Sequence, residues 1–326
     1  MQPFEHTLYN IHLSRKENAV FAACDDKYAF CLYVSLRTLC KNSPVLASHS
    51  DIWIASYGIS PKHQEILRMI PNTHIFEYEF PGSLEQTPQI KKFTNVSFAR
   101  YELFTLLQLY KNVLYLDSDV LVQKELFPVC DSLKDGIGLI PDTHVQTIGE
   151  NFLKTIPGFN MQAVGYNSGF IVMNRTGKWF KEVESIRRFL YQYTLENASA
   201  LYLPDQGIIN LAVQKFNILP TPLSVMYNCP ASRPKKKLNQ AYIVHCTGPR
   251  KFWCYYYFHD FYKEYSRWVQ QGGKPVTIRP KNSKLYQWFI DTFHLQHHIF
   301  IQLCPDMVTS PLKALRFALK KVLDYR

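Results

Sequence analysis

Asp117 and Asp119 stand one residue apart in NVLYLDSDVLV, Asn112 to Val122, a stretch that is otherwise largely apolar. A carboxylate taken out of water without a partner is unfavourable, so the pair implies a counter-charge. Other polar groups fall at the ends of similar runs: Asp25 and Asp26 after AVFAAC, and His245 after AYIV. Two carboxylates and an imidazole offer oxygen and nitrogen ligands and leave positions for a substrate's own oxygens. That set suits Mn2+ or Mg2+, whereas a structural zinc usually recruits thiolates. A divalent cation would offset the desolvation of both acids. Taken alone, the Asp-x-Asp triplet has a plainer reading, a strand-end turn whose acids cap nearby backbone groups.

Such ligands need a scaffold that brings distant strand ends together. The runs AVFAAC, DIWIASYG, NVLYL and GFIVMN are continuous rather than alternating, as in strands buried on both faces of a parallel sheet. AYIVHC from Ala241 is a later run of the same kind. Between them lie helix-like segments. These are DDKYAFCLYVSLRTLCKN, SPKHQEILRMI, FARYELFTLLQLY and an amphipathic stretch around Trp179 to Tyr193. Ser60 is placed as an N-cap with Pro61 in the first turn. Strands alternating with helices predict an α/β domain with a largely parallel sheet. Open sheets of this kind bind ligands beyond the carboxyl ends of their strands.

The 326 residues suffice for one large α/β domain with an appendage, and the net charge of +11 favours acidic partners. None of the eight cysteines forms a C-x-x-C pair, which predicts free thiols in a reducing compartment. The N-terminus has no apolar signal core, and no run nears the ~20 apolar residues of a membrane span. The expectation is a cytoplasmic protein, so the triplets at Asn95, Asn174 and Asn197 are read as chance glycosylation matches. Without a nucleic-acid module, RPKKKLNQ, Arg233 to Gln240, is read as a solvated loop and no nucleic-acid partner is expected. The chain becomes aromatic and basic after Trp253. Its last helix-like segment starts at Ser310 and Pro311 and places Leu312, Leu315, Leu319, Val322 and Leu323 on one face. Lys313, Arg316 and Lys320 border that face, which suits either an anionic membrane surface or packing onto the domain.

The motifs FAACDDKYAF, ARYELFTLL, LYLDSDVLV, YNSGFIVMN, LPDQGIIN and HCTGPRKFW occur in this order between residues 19 and 255. In order and spacing they resemble the retaining family 8 glycosyltransferases, the group that includes glycogenin. The nearest likeness is to bacterial lipooligosaccharide and lipopolysaccharide galactosyl- and glucosyltransferases. The resemblance implies a GT-A, Rossmann-like nucleotide-sugar-binding domain over residues 1–255 with a mostly parallel central sheet. It also implies a small helical, basic C-terminal region over residues 256–326, carrying a membrane-associating helix on the inner face of the cytoplasmic membrane. Asp117, Asp119 and His245 would hold Mn2+, or Mg2+, against the nucleotide diphosphate. Ala23, Asp25 and Tyr28 would grip uridine, Tyr28 by stacking, and Ser118 would join the donor site. Arg100 would meet the donor sugar or diphosphate, and Gly248 and Lys251 the phosphates. Two positions depart from the family's pattern. Lys27 stands where Asn is common, and Phe252 where Pro is usual.

The implied reaction moves a hexose, galactose before glucose, from a UDP-sugar to a glycan or lipid-linked oligosaccharide acceptor. Asp142, Asn167, Asp205 and Gln206 are the residues the resemblance assigns to the sugar. A double displacement would want a carboxylate beneath the anomeric carbon. The matching position is Gln206, an amide, which favours front-face substitution. Each residue also has a plainer reading by itself. Tyr28 suits a core aromatic, His245 a satisfied strand-end histidine, Lys251 a solvated cation and Asn167 a turn residue. Asp205 is placed to cap the helix QGIINLAV. The competing functions are a non-catalytic UDP-sugar or glycan-binding module and a Mg2+-dependent phosphohydrolase.

Overall fold

The computed structural model describes residues 16–247, 251–252 and 258–275. Gly248 and the C-terminal segment from Ser310 lie outside them. Among the described residues there are ten strands: β1 Asn18–Asp25, β2 Ser50–Tyr57, β3 Thr73–Glu77, β4 Asn112–Leu116 and β5 Val120–Val122 come first. β6 Ile137–Pro141, β7 Tyr166–Asn174, β8 Thr221–Pro222, β9 Cys229–Pro230 and β10 Ile243–His245 follow. Seven of them form a sheet in the order β3-β2-β1-β4-β7-β6-β8, and β5-β10-β9 form a second, three-stranded sheet.

Alternation along each strand explains why these runs are apolar throughout. In β1, Val20, Ala22 and Cys24 enter one core, while Ala19, Phe21 and Ala23 enter the other. β2, β4 and β7 divide their side chains in the same way, so helices cover both faces of the large sheet. The principal helices are α1 Ala29–Asn42, α2 Pro61–Arg68, α3 Leu103–Leu109, α4 Val183–Asn197, α5 Pro204–Lys215 and α6 His259–Gln270. Buried residues of α1, α2, α6 and the small sheet share the first core, and those of α3, α4 and α5 share the second. Late in the chain, Phe261 and Tyr265 of α6 pack on Phe30, and Trp268 packs on Tyr33.

The three-layer, mostly parallel architecture is the GT-A, Rossmann-like fold expected, and two placements differ from the sequence reading. GFIVMN lies in β7, which runs antiparallel to both neighbours, β4 and β6. A strand buried on both faces looks the same read in either direction, so its composition carries no sign of its orientation. AYIVHC supplies β10 of the small sheet, antiparallel to β5 and parallel to β9. Ser60 does occupy an N-cap position but makes no side-chain cap bond. Its backbone N–H donates instead to Asp26 Oδ1 at 2.8 Å.

Candidate functional site

The chain crosses from the large sheet to the small one at Asp117-Ser118-Asp119, between the end of β4 and the start of β5. The register of the small sheet places His245 opposite Val120, one residue from Asp119. The backbone clamps both sides of the junction. Asp117 N–H donates to Gly169 O at 3.0 Å, and Cys246 N–H donates to Asp119 O at 3.1 Å. One ligand atom from each of Asp117, Asp119 and His245 can be chosen so that all lie within 4.8 Å of one another. His245 Nε2 is 3.1 Å from Asp119 Oδ1 and 3.6 Å from Asp117 Oδ2.

Gly169 keeps that space open. A Cβ added there would stand 2.6 Å from His245 Cε1 and 2.8 Å from Asp117 Oδ2. The donor set and this clearance fit a divalent cation with room for substrate oxygens. Asp117, Asp119 and His245 are therefore able to hold one. The reversal of β7 brings Gly169 here, because the beginning of that strand, rather than its end, lies beside the carboxyl end of β4.

Two cationic groups divide the acids between them. Burial by itself pushes the Asp119 carboxyl up, but His245 and Lys251 outweigh it and hold Asp119 well below the usual carboxylate range. Lys251 Nζ pairs with Asp119 Oδ2, donates to Cys246 O at 2.9 Å and sits 5.9 Å from the Tyr28 ring centroid. Arg100, only 6% exposed, takes the other two acids. It reaches Asp117 Oδ1 at 2.9 Å and Asp205 Oδ2 at 2.8 Å, and lies over the Tyr115 ring. Asp205 is raised above the ordinary carboxyl value. Burial is the main cause, opposed by Arg100 and reinforced by Asp117. The proposed cap role of Asp205 does not hold, since Leu203 is the N-cap of α5 and Asp205 lies in its first turn. Its carboxylate accepts instead from Ser168 Oγ at 2.9 Å.

The residues that the resemblance assigns to the sugar form one hydrogen-bonded group. Asp142 Oδ2 accepts from Asn167 Nδ2 at 2.8 Å and from Gln206 Nε2 at 3.2 Å. Gln206 Oε1 accepts from Ser168 N–H at 3.2 Å, and Gln206 Nε2 donates to Asn151 Oδ1 at 3.0 Å. After β1, Asp25 Oδ1 accepts from Tyr28 N–H at 3.0 Å. Ala23, Asp25, Tyr28, Ser118 and Lys251 all line a cleft of about 1070 Å3, together with Asp117, Asp119, His245, Asn167 and Gln206. Two buried residues in this network carry no signal of their own in the sequence. Asn151 and Asn228 belong to no recurring spacing, and only the folded chain sets them against Gln206 and His245.

Residues 19–256 match the family described as Glycosyl transferase family 8. No protein of curated function matches the chain significantly. Several solved structures share the fold. The WbbM bifunctional glycosyltransferase aligns with a TM-score of 0.58 and 16% identity over 80% of this chain. The match takes in 51% of the WbbM chain, so the present chain spans about half its length. The galactosyltransferase LgtC, in complex with donor and acceptor sugar analogues, aligns with a TM-score of 0.53 and 19% identity. That alignment covers 83% of this chain and 98% of LgtC. The glycosyltransferase GlyE of Streptococcus pneumoniae TIGR4 aligns with a TM-score of 0.51 and 20% identity, over 83% of this chain and 67% of GlyE.

Proposed function

The chain belongs to glycosyl transferase family 8, and on that premise we propose that it moves a hexose from a UDP-sugar donor to a glycan acceptor with retention. The observation that carries this reading is the gathering of Asp117, Asp119, His245 and Lys251 on one wall of a cleft. That wall suits a diphosphate. Asp142, Asn167, Asp205 and Gln206, which line the same cleft, offer the mixed donors and acceptors that sugar hydroxyls need.

Lys251 supplies positive charge where negative charge develops on the departing UDP, and Ala23, Asp25 and Tyr28 hold the uridine. A divalent cation, Mn2+ before Mg2+, held by Asp117, Asp119 and His245 would act there as a Lewis acid. Asn167, Asp142 and Gln206 orient the hexose by hydrogen bonds. Arg100 fixes Asp117 and Asp205 in place through its two ion pairs. Front-face substitution is supported by the state of Gln206 and Asp205, the two residues considered as nucleophiles. Gln206 is an amide engaged at both ends. Asp205 Oδ2 is held by Arg100 and Ser168. The acceptor hydroxyl then enters beside the departing diphosphate and its proton passes to a phosphate oxygen.

Galactose is favoured over glucose from the likeness of motifs and the fold shared with the galactosyltransferase LgtC. The acceptor proposed is a lipooligosaccharide or lipopolysaccharide chain. Residues 1–255 would form the catalytic unit, and residues 256–326 would bring it to an anionic membrane surface. No helix among the described residues is long and apolar enough to cross a membrane.

The test is UDP release from a panel of UDP-sugars with and without Mn2+, comparing the wild type with Asp119→Ala. Mn2+-dependent release by the wild type and loss in the variant are expected. No release from any donor, together with no UDP binding, would reject the assignment. For the tail, deletion of Ser310–Arg326 should weaken binding to anionic vesicles, and unchanged binding would remove the membrane role.

A further inference from the structure

Hydrogen-bond polarity can be followed from the sugar side of the cleft to His245 without assigning any proton in advance. Asn167 is fixed at both ends. Its Oδ1 faces the Gly169 backbone N–H at 2.8 Å, an obligate donor, and its Nδ2 faces the Asp142 carboxylate at 2.8 Å. Asn228, 5% exposed, approaches that same Asn167 Oδ1 at 2.6 Å, so the atom doing so must be its amide nitrogen. Its oxygen is therefore the atom that lies 2.8 Å from His245 Nδ1. An oxygen at that distance accepts, and Nδ1 must carry a hydrogen. The other ring nitrogen, Nε2, is the one that faces Asp117 and Asp119.

We propose that Asn228 is a positioning residue with two tasks: its carbonyl keeps His245 protonated on Nδ1, so that Nε2 is the nitrogen available to a cation, and its amide N–H ties that ring to Asn167. A ligating histidine usually has its second nitrogen oriented by such a partner. The fold holds Asn228 in register for the task. It ends the 3-10 turn Val225–Asn228 and directly precedes β9, whose Pro230 pairs with His245 of β10. Cation site and hexose cradle are thereby joined through one buried side chain. The inference rests on reading Asp117, Asp119 and His245 as a cation site, and its test separates the two ideas.

Asn228→Asp keeps an acceptor for Nδ1–H but cannot donate to Asn167 Oδ1, whereas Asn228→Ala removes both contacts. Calorimetric Mn2+ titration should show Asn228→Ala weakened about 10–100-fold and Asn228→Asp within a few-fold of wild type. Turnover of the UDP-sugar at saturating Mn2+ should fall in both, because both lose the bond to Asn167. Nitrogen-15 NMR of the metal-free wild type should show the His245 Nδ1 protonated, with the signal assigned by its loss in His245→Gln. An unprotonated Nδ1 overturns the proposal, as does Mn2+ binding by Asn228→Ala equal to wild type, or by Asn228→Asp as weak as Asn228→Ala. If the wild type bound no Mn2+ while Nδ1 proved protonated, the cation-site reading would fail and the polarity of the Asn228 bridge would stand.

Discussion

Glu102 and Asp119 are both nearly buried carboxylates beside cations, 3% and 8% exposed, yet they serve different ends. Glu102 is closed in by fixed partners. Tyr191 Oη donates at 2.5 Å, Thr105 Oγ1 at 2.6 Å, and Arg187 Nε lies at 3.3 Å. None of these residues lines the cleft. Asp119 does line it, and its partners are an imidazole and a lysine ammonium. Those two groups can exchange Asp119 for a cation or a phosphate, whereas the tyrosine, threonine and guanidinium around Glu102 have nothing to exchange it for. Burial of charge is thus shared by structural and functional acids. An opening to ligand and exchangeable partners distinguish them.

The largest expected effect tests the structural half of that contrast. Glu102→Ala removes the buried acceptor shared by Arg187, Tyr191 and Thr105 and should destabilise the fold by about 3–5 kcal/mol, read from urea unfolding. Its folded fraction should bind Mn2+ as the wild type does. A loss below about 1 kcal/mol would erase the distinction, since surface-type pairs contribute that little.

Asp119→Ala should behave in the opposite way. Sugar transfer should fall by about 10²–10³-fold, the range for losing one group that stabilises developing charge, because the cation that Asp119 would hold is lost with it. Unfolding should shift far less than in Glu102→Ala. Full activity in the variant would place Asp119 with the structural acids.

Metal addition gives the next effect in size. Mn2+ at about 100 times its dissociation constant should stabilise the wild type by about 2.7 kcal/mol, and EDTA should reverse it. Glu102→Ala should gain the same increment and Asp119→Ala little of it, measured as denaturation midpoints. Equal gains in all three proteins would locate the ion elsewhere.

The smallest effect concerns a third acid, Glu125, whose partners among the described residues are a hydroxyl and backbone N–H groups rather than a cation. It accepts from Ser43 Oγ at 2.6 Å and from the backbone N–H groups of Val45 and Phe127 at 2.9 and 3.0 Å. Partial burial pushes its carboxyl up, but these donors outweigh that and hold it below its ordinary value. A depressed folded value means that the stabilisation is present above the unfolded value of about 4.3. It is lost as pH falls through the folded value. Glu125→Gln should cost about 1 kcal/mol near pH 7, within the range for helix caps, and should flatten the stability curve below about pH 4.3. An unchanged acid limb would assign that slope to other carboxylates.

Much of the scaffold was legible because fully buried strands have an unmistakable composition. Ala19–Cys24, Asp51–Tyr57 and Asn112–Leu116 all fall within strands of the large sheet. The position of Asp117 and Asp119 just beyond such a run was equally plain. The reversal of β7 was not, because an apolar run buried on both faces has no polarity to read. Asn228 was hidden for another reason. Its significance lies in a contact with His245, 17 residues away, and in one with Asn167, 61 residues away. Neither separation follows a local period. Arg100 was legible as a site residue, but its division between Asp117 and Asp205 depends on the meeting of β4, β7 and α5.

Amino-acid order by itself determined which chemical groups this protein possesses and that the first acids, the Asp-x-Asp pair and His245 stand at the edges of apolar runs. Local sterics and the hydrophobic period suffice for that, since both act within a few residues. Tertiary structure alone decided which edges meet. The direction of β7, the register of β5 against β10 and the seat of Asn228 are set by backbone pairing across long loops. In that pairing every buried N–H and C=O must find a partner at once, a condition no short stretch can satisfy or reveal.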